Sequence, residues 1–301
     1  MTSVLPTTIP EYLDQLRRAL AGADPALVQD ALYDAEEYLR SEMAANLDQS
    51  EAEVIAAVAS SYGAPEEVAD IYRDTEVKVQ TALRAPPPRP RKSVMGRFFG
   101  IAADPHAYAA LFYMVLSLAT GIFYFSWVVV GTSMSAGLAV LIIGIPFVIL
   151  FLGSIRMLSL LEGRIVEVML GERMPRRPLY RDRAKPLLER IRDMFLDPRT
   201  WSTVLYFLAM LPLGIVYFTL AVSFVSVAIS FVLAPLALLP GVHLNVWMFG
   251  IDIPARAPWL LPVLSVVGVL LLFVVLHLAR GVGRLHGVFA KNLLVKSAQY
   301  S

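Results

Sequence analysis

Along residues 10–82, apolar side chains recur every three or four positions, the spacing of amphipathic helices. Leu13, Leu16 and Leu20 make one stripe. Asp24-Pro25 opens a second helix, with Val28, Leu32, Ala35, Leu39 and Met43 on one face. Ser50-x-x-Glu53 is a capping box for a third, which carries Val54, Val58 and Tyr62. Gly63 supplies a left-handed C-cap, and Pro65 starts a fourth helix with Val68, Ile71 and Tyr72 inward. After residue 104 the periodicity gives way to long uncharged runs. Residues 107–130, 136–155, 203 to about 239, and 260–278 each reach the roughly 20 apolar residues that cross a bilayer as helix. Residues 131–135 read as the first hairpin turn, and the third span is expected to end near Phe231, with Pro235 and Pro240 marking its exit. The pattern predicts an all-α, polytopic membrane protein with four transmembrane helices behind a soluble helical domain. The expected division is 1–83, a linker over 84–103, and a membrane domain over 104–301.

The membrane half repeats itself. Asp104-Pro105 recurs 93 residues later as Asp197-Pro198. In the same register Tyr113 matches Tyr206, Leu118 matches Leu211, Gly121-Ile122 matches Gly214-Ile215, and Tyr124-Phe125 matches Tyr217-Phe218. Tyr108 corresponds to Trp201, an aromatic pair at the entry interface. The hairpin exits correspond at an offset of 124: Arg156 with Arg280, Leu161 with Leu285, Gly163 with Gly287, Leu170 with Leu294. The copies, about 104–174 and 197–297, enter from the same side, so they form a parallel repeat with an expected pseudo-two-fold along the membrane normal. Aspartate caps a starting helix and proline suits its first turn, which accounts for the Asp-Pro openings. Gly121 and Gly214 suit close helix approach. Tyr124 and Tyr217, one turn later, either pack between helices or line a cavity.

Charge orients the spans. Residues 1–82 hold 16 acidic and 5 basic side chains, and the remainder holds 9 and 21. Basic residues cluster before the first span (Arg84, Arg89, Arg91, Lys92, Arg97), between spans two and three (eleven from Arg156 to Arg199), and after the fourth (Arg280, Arg284, Lys291, Lys296). The opposite loops carry only Asp252 and Arg256. The bias places both termini on the cytoplasmic side of the membrane. The first 20 residues lack an apolar signal core. Residues 85–91, APPPRPR, read as a semi-rigid linker whose arginines suit anionic headgroups.

Composition then narrows the chemistry. There is no cysteine, which excludes disulfides and thiolate sites. The four histidines, His106, His243, His277 and His286, do not make a haem or metal pair, and no hydrolase, P-loop or dinucleotide motif occurs. The expectation is no cofactor, no metal, no catalytic residue and no direct nucleic-acid binding. The spans as bounded above hold no Asp, Glu, Lys or Arg, which argues against active transport.

Two resemblances carry further. Glu11-Tyr12-Leu13, Leu16, Leu20, Tyr38-Leu39 and Tyr62-Gly63-Ala64-Pro65-Glu66-Glu67-Val68-Ala69 resemble the HAAS-type helical domains of bacterial signalling membrane proteins. The duplicated Asp-Pro hairpin, with Asp197-Pro198-Arg199-Thr200-Trp201 and Leu211-Pro212-Leu213-Gly214, resembles the four-helix sensor domain that precedes many actinobacterial histidine kinases. That likeness covers most of 97–296. The resemblance implies signalling through a partner, with a PadR-like regulator or a histidine kinase pathway protein as the candidate. It departs from the kinases in that about 20 residues follow the last span, so output in trans is expected.

The function expected is a non-enzymatic membrane sensor acting on a partner. The alternative is an accessory or transport subunit that docks through its front domain. Membrane lipid and a second copy of the chain are the other partners considered. If the outer segment senses, Trp247, Asp252 and Trp259 are its candidates. Glu66, Glu67 and Asp70 are candidates for docking a basic partner. Residues 185–195 place Leu188, Ile191 and Phe195 among arginines, as in an interfacial helix, and the acidic front domain is a candidate to dock on the basic 176–199 loop.

Overall fold

The computed structural model describes residues 6–83, 93–138, 144–177, 192, 195–239, 242, 247–248 and 250–295. Four helices make the front domain: α1 (Ile9–Ala19), α2 (Pro25–Ala45), α3 (Glu51–Ser61) and α4 (Pro65–Leu83). Local chemistry sets their ends. The Thr8 and Asp24 side chains accept from Glu11 and Ala26 N–H, and Ser50 and Glu53 cap each other reciprocally. The Ser50 backbone N–H and hydroxyl hold the Glu53 carboxyl below its ordinary pKa. Gly63 sits at φ +119°, and its carbonyl accepts from the buried Tyr12 hydroxyl at 2.7 Å. Gly63→Ala is expected to cost about 1–2 kcal/mol, because an L residue is strained there and its Cβ would lie 3.3 Å from Val68 Cγ2. Faster amide exchange in α3 and α4 of the intact chain checks this.

The front core comprises Tyr12, Leu16, Leu20, Leu27, Ala31, Ala35, Leu39, Val54, Ile55, Val58, Val68 and Ala69, with Val28, Leu32, Met43, Tyr62 and Tyr72 at its margin. One expectation is corrected. Ile71 is 60% exposed, because the inward stripe of α4 runs through Val68, Ala69, Tyr72 and Glu76, about 100° per residue away from it. On α2 the buried residues are Ala26, Leu27, Gln29, Asp30, Ala31, Ala35 and Leu39. That set spans more than one face, and its polar members have partners outside the front domain.

A short helix, α5 (Val94–Phe99), and a 3₁₀ turn precede the membrane helices. These are α6 (Pro105–Leu138), α7 (Gly144–Leu170), α8 (Pro198–Leu233, extended to Leu238 by a 3₁₀ turn) and α9 (Leu260–Leu294). All four are long and apolar enough to cross a membrane. Residues 131–135, expected as a turn, are helical, and the second helix starts at Gly144 rather than residue 136. Glycine and serine bend a chain readily in water, but in lipid an unbroken helix keeps their backbone groups paired. Pro212 sits inside α8, as membrane helices tolerate proline where neighbouring groups satisfy the carbonyl it frees. Both α7 and α9 run well past the apolar stretch, so each basic exit is continuous with its span.

The chain divides into two compact units: Met1–Arg84 with Gly131–Tyr206 and Val288–Ser301, and Ala85–Val130 with Phe207–Gly287. The front domain therefore clusters with the second helix and with parts of α8 and α9.

In the second unit α6 crosses α8 at a pair of glycines. A Cβ on Gly121 would lie 2.5 Å from the Met210 carbonyl oxygen, and one on Gly214 would collide with the Ser117 carbonyl oxygen. Ser117 and Met210 are themselves 93 residues apart, so the two contacts exchange under the repeat, as a local two-fold requires. Residues 247–248 and 251–252 form a small antiparallel ladder around Gly250, and Asp252 caps the turn Ile253–Arg256. Trp247 and Trp259 are exposed. The linker cations Arg84, Arg89, Arg91 and Lys92, most of 185–194, His243 and Lys296 lie outside the described residues.

Candidate functional site

At the Asp-Pro end of the first unit, the chain leaves α7 through Gly171 at φ +76° and runs without regular structure to a bend at Arg176 and Arg177. Met174 packs back against Gly163, its Cβ 3.4 Å from where a Gly163 Cβ would stand. Met174 is wholly buried and Arg173 is 8% exposed.

Arg173 is the hub of a charge cluster. Its guanidinium donates to Asp30 at 3.0 Å, Glu76 at 3.2 Å and Glu167 at 3.4 Å. Burial opposes its charge, but the three carboxylates outweigh that and hold its proton more tightly than water does. Asp30 receives two backbone donors on its other oxygen, Arg176 N–H at 2.7 Å and Arg177 N–H at 2.8 Å. Burial still pushes its carboxyl above the usual aspartate range, against the pull of those two N–H groups and of Arg173.

The neighbours extend the grip. Arg177 pairs with Asp34 at 3.0 Å, and Tyr72 donates to the same carboxylate at 2.9 Å. Gln29 donates to the Arg177 carbonyl at 2.6 Å and accepts from Arg199 at 2.8 Å. Lys291, near the end of α9, pairs with Asp24 at 2.6 Å and Glu172 at 2.8 Å. The front domain is thus held by the segment after α7, the first turn of α8 and the last turn of α9. Buried pairs of this kind add little net stability over apolar packing, but they fix one arrangement, and breaking one costs a good deal.

The cluster reaches the cap of α8. Asp197 accepts from Arg199 N–H at 3.0 Å with one oxygen, and from Arg156 at 2.8 Å with the other. The second unit holds the repeat counterpart: Asp104 accepts from His106 N–H at 3.0 Å and pairs with Arg280 at 3.2 Å. The offsets of 93 and 124 map one pair onto the other. Tyr108 and Trp201 also match, each donating to a carbonyl six residues back, of Ala102 and Phe195. His106 stands where Arg199 stands in the second copy.

One further matched pair lies deeper. Tyr206 donates to Glu162 at 2.9 Å in the first unit, and Tyr113 meets His286 Nε2 at 2.7 Å in the second. Glu162 is wholly buried and His286 is 1% exposed. Tyr206 stands about 7 Å along the helix beyond Trp201. The apolar second run, taken as ending at residue 155, hid this carboxyl, because α7 continues past it to Leu170. Tyr206→Phe is expected to destabilise the protein by about 1–3 kcal/mol by stripping a hydrogen bond from a buried carboxyl. Thermal unfolding in detergent measures it.

Among the residues singled out from sequence, Gly121 and Gly214 stand at the α6–α8 crossing. Tyr124 stacks on Phe207 with centroids 4.5 Å apart, and Tyr217 lies with its hydroxyl 3.4 Å from His286 Nδ1. Glu66, Glu67 and Asp70 are exposed on α4; Glu67 accepts from Ala64 N–H and Asp70 pairs with Arg73. Among the described residues, none of the three meets the basic segment. Asp30, Asp34 and Glu76 meet it through Arg173 and Arg177, and Asp24 meets Lys291 of α9. The one sequence signal for Asp30 was its place between Leu27 and Ala31 in the apolar register of α2. Among the described residues, no His, Asp or Glu cluster suits a metal ion.

Comparison with protein families matches residues 113–294 to the Sensor family model and residues 11–71 to the HAAS model. Comparison with curated proteins and with solved structures gives no match.

Proposed function

Because the chain belongs to the Sensor family, whose model spans residues 113–294, we propose that it is a membrane signalling component that regulates a separate partner through its HAAS-type front domain. In this reading the chain performs no catalysis. Both termini face the cytoplasm, from the bias of Lys and Arg in the loops. The membrane helices receive the stimulus, and the front domain passes it on.

The observation that carries the reading is the Arg173 cluster. It ties Asp30 and Glu76 of the front domain to Glu167 of α7. Arg199 and Lys291 tie the same domain to α8 and α9. A shift among these helices therefore changes how the front domain is held. Held, it keeps the Asp24–Asp34 face of α2 covered. Released, it offers that face to a partner. A two-state element that both the membrane helices and the partner bias is the physical requirement for such coupling.

The test uses the full chain in native membranes, with a photo-crosslinking residue at Tyr33, which lies under Arg177, or at the exposed Glu37 on α2. The expected adduct is a transcriptional regulator of the PadR type or a histidine kinase pathway protein, enriched in an Asp30→Asn variant. Adducts only with a permease or an ATP-hydrolysing subunit would assign the chain to a transport complex instead.

A further inference from the structure

The segment that follows α7 has the form of an anion site that the chain fills with its own side chain. Two adjacent backbone N–H groups, of Arg176 and Arg177, converge on one oxygen of Asp30, and the Arg173 guanidinium takes the other. Such a nest of amides beside a guanidinium binds phosphate oxygens as readily as carboxylate oxygens. We propose that it is a binding site for the phosphate of an anionic phospholipid, which competes with Asp30 for it and so releases the front domain. The proposal rests on the held and released states described above, and adds the ligand.

Three observations favour a lipid. Apolar surface runs up to the cations: Val168 of α7 is 75% exposed, five residues before Arg173. Val288 of α9 is 53% exposed, one turn before Lys291. Acyl chains packed on those faces would set their headgroups beside the nest. Second, an open cleft is lined by Asp24, Glu172, Val288, Lys291 and Asn292, starting one residue before Arg173; with Asp24 lifted away, the Lys291 ammonium beside the apolar Val288 keeps Glu172 as its partner.

Third, the charges favour exchange. Lifting the front domain removes Asp24, Asp30, Asp34 and Glu76. Among the described residues, Arg173, Arg176, Arg177, Arg199 and Lys291 then face Glu167, Glu172 and Asp197. A surplus of cations next to a bilayer attracts anionic lipid at about 1 kcal/mol per charge, whereas zwitterionic lipid offers no net charge.

The chain has no cysteine, so a nitroxide pair at Ser61→Cys and Met157→Cys reads the front domain against α7 in the otherwise intact protein. In phosphatidylcholine vesicles one distance is expected. With phosphatidylglycerol in part replacement, a longer one should appear, and the held-to-released ratio should fall at least about fivefold. Asp30→Asn should show the longer distance in phosphatidylcholine alone. Lys291→Gln, outside the nest, should shift the ratio the same way if Asp30→Asn does not fold. No response of the wild type to phosphatidylglycerol, with the variants released, overturns the lipid site and leaves the docking reading intact. Variants that stay held in every lipid overturn the docking reading itself. Release by inorganic phosphate in phosphatidylcholine vesicles, matching that by phosphatidylglycerol, makes soluble phosphate the ligand and overturns the lipid assignment.

Discussion

Arg173→Gln is expected to detach the front domain from the membrane helices, at a cost of about 3–5 kcal/mol to the held state. The size follows from what the substitution leaves behind. Asp30, Glu76 and Glu167 converge on one guanidinium that is 8% exposed. Without it three carboxylates face one another out of water. Glutamine keeps a donor but supplies no charge and only part of the fork. An exposed pair such as Arg73–Asp70 gives the contrast, since breaking it should change stability by less than about 1 kcal/mol. Limited proteolysis after the front domain, or amide exchange in α2, separates the two variants. An unchanged exchange pattern in Arg173→Gln would mean that apolar packing alone holds the domain.

The second large effect is expected at the helix crossing. Gly121→Ala and Gly214→Ala should each cost about 1–3 kcal/mol, because a methyl group there meets backbone rather than a movable side chain. Neither carbonyl can turn aside without losing its own helical hydrogen bond, so α6 and α8 must separate. In lipid, helix association draws mainly on close packing, so separation forfeits much of it. The double variant should cost less than the sum, since either methyl alone opens the same crossing. Gly137→Ala is the control, as its Cβ would meet nothing within 4 Å. Thermal unfolding in detergent compares all four proteins. Equal melting of Gly121→Ala and Gly137→Ala would place the tight crossing elsewhere.

Much of the fold was legible in advance because it follows from short-range rules. The capping box at Ser50, the left-handed turn at Gly63 and the Asp-Pro starts are satisfied within a few residues. The repeat was legible because duplication preserves spacing. It also held more than was first taken from it. Offsets of 93 and 124 pair Asp104 with Arg280 only if they also pair Asp197 with Arg156, and both bridges occur. The misreadings have local causes too. Ile71 is apolar but lies on the wet side of α4, and residues 131–135 are turn formers inside a helix that lipid keeps unbroken.

The candidate site was less legible. Asp30, Asp34, Glu66, Glu67 and Asp70 are equivalent in composition, and the sequence alone pointed to Glu66, Glu67 and Asp70 as the docking acids. Only packing separates the acids that meet arginine from those that meet water. Asp30 and Arg173 are 143 positions apart, and Asp24 and Lys291 are 267 apart. No periodicity relates positions at such distances.

The sequence by itself therefore determined the helices, the four spans and their duplication. These rest on hydrophobic period, run length and capping, each a property of neighbouring residues. Only the tertiary structure decided which charges are buried and with which partners. It turned one face of α2 onto the Arg173 segment and enclosed Glu162 beside Tyr206. Burial makes a charge depend on its partner, and the partner is fixed by the packing of helices remote in the chain.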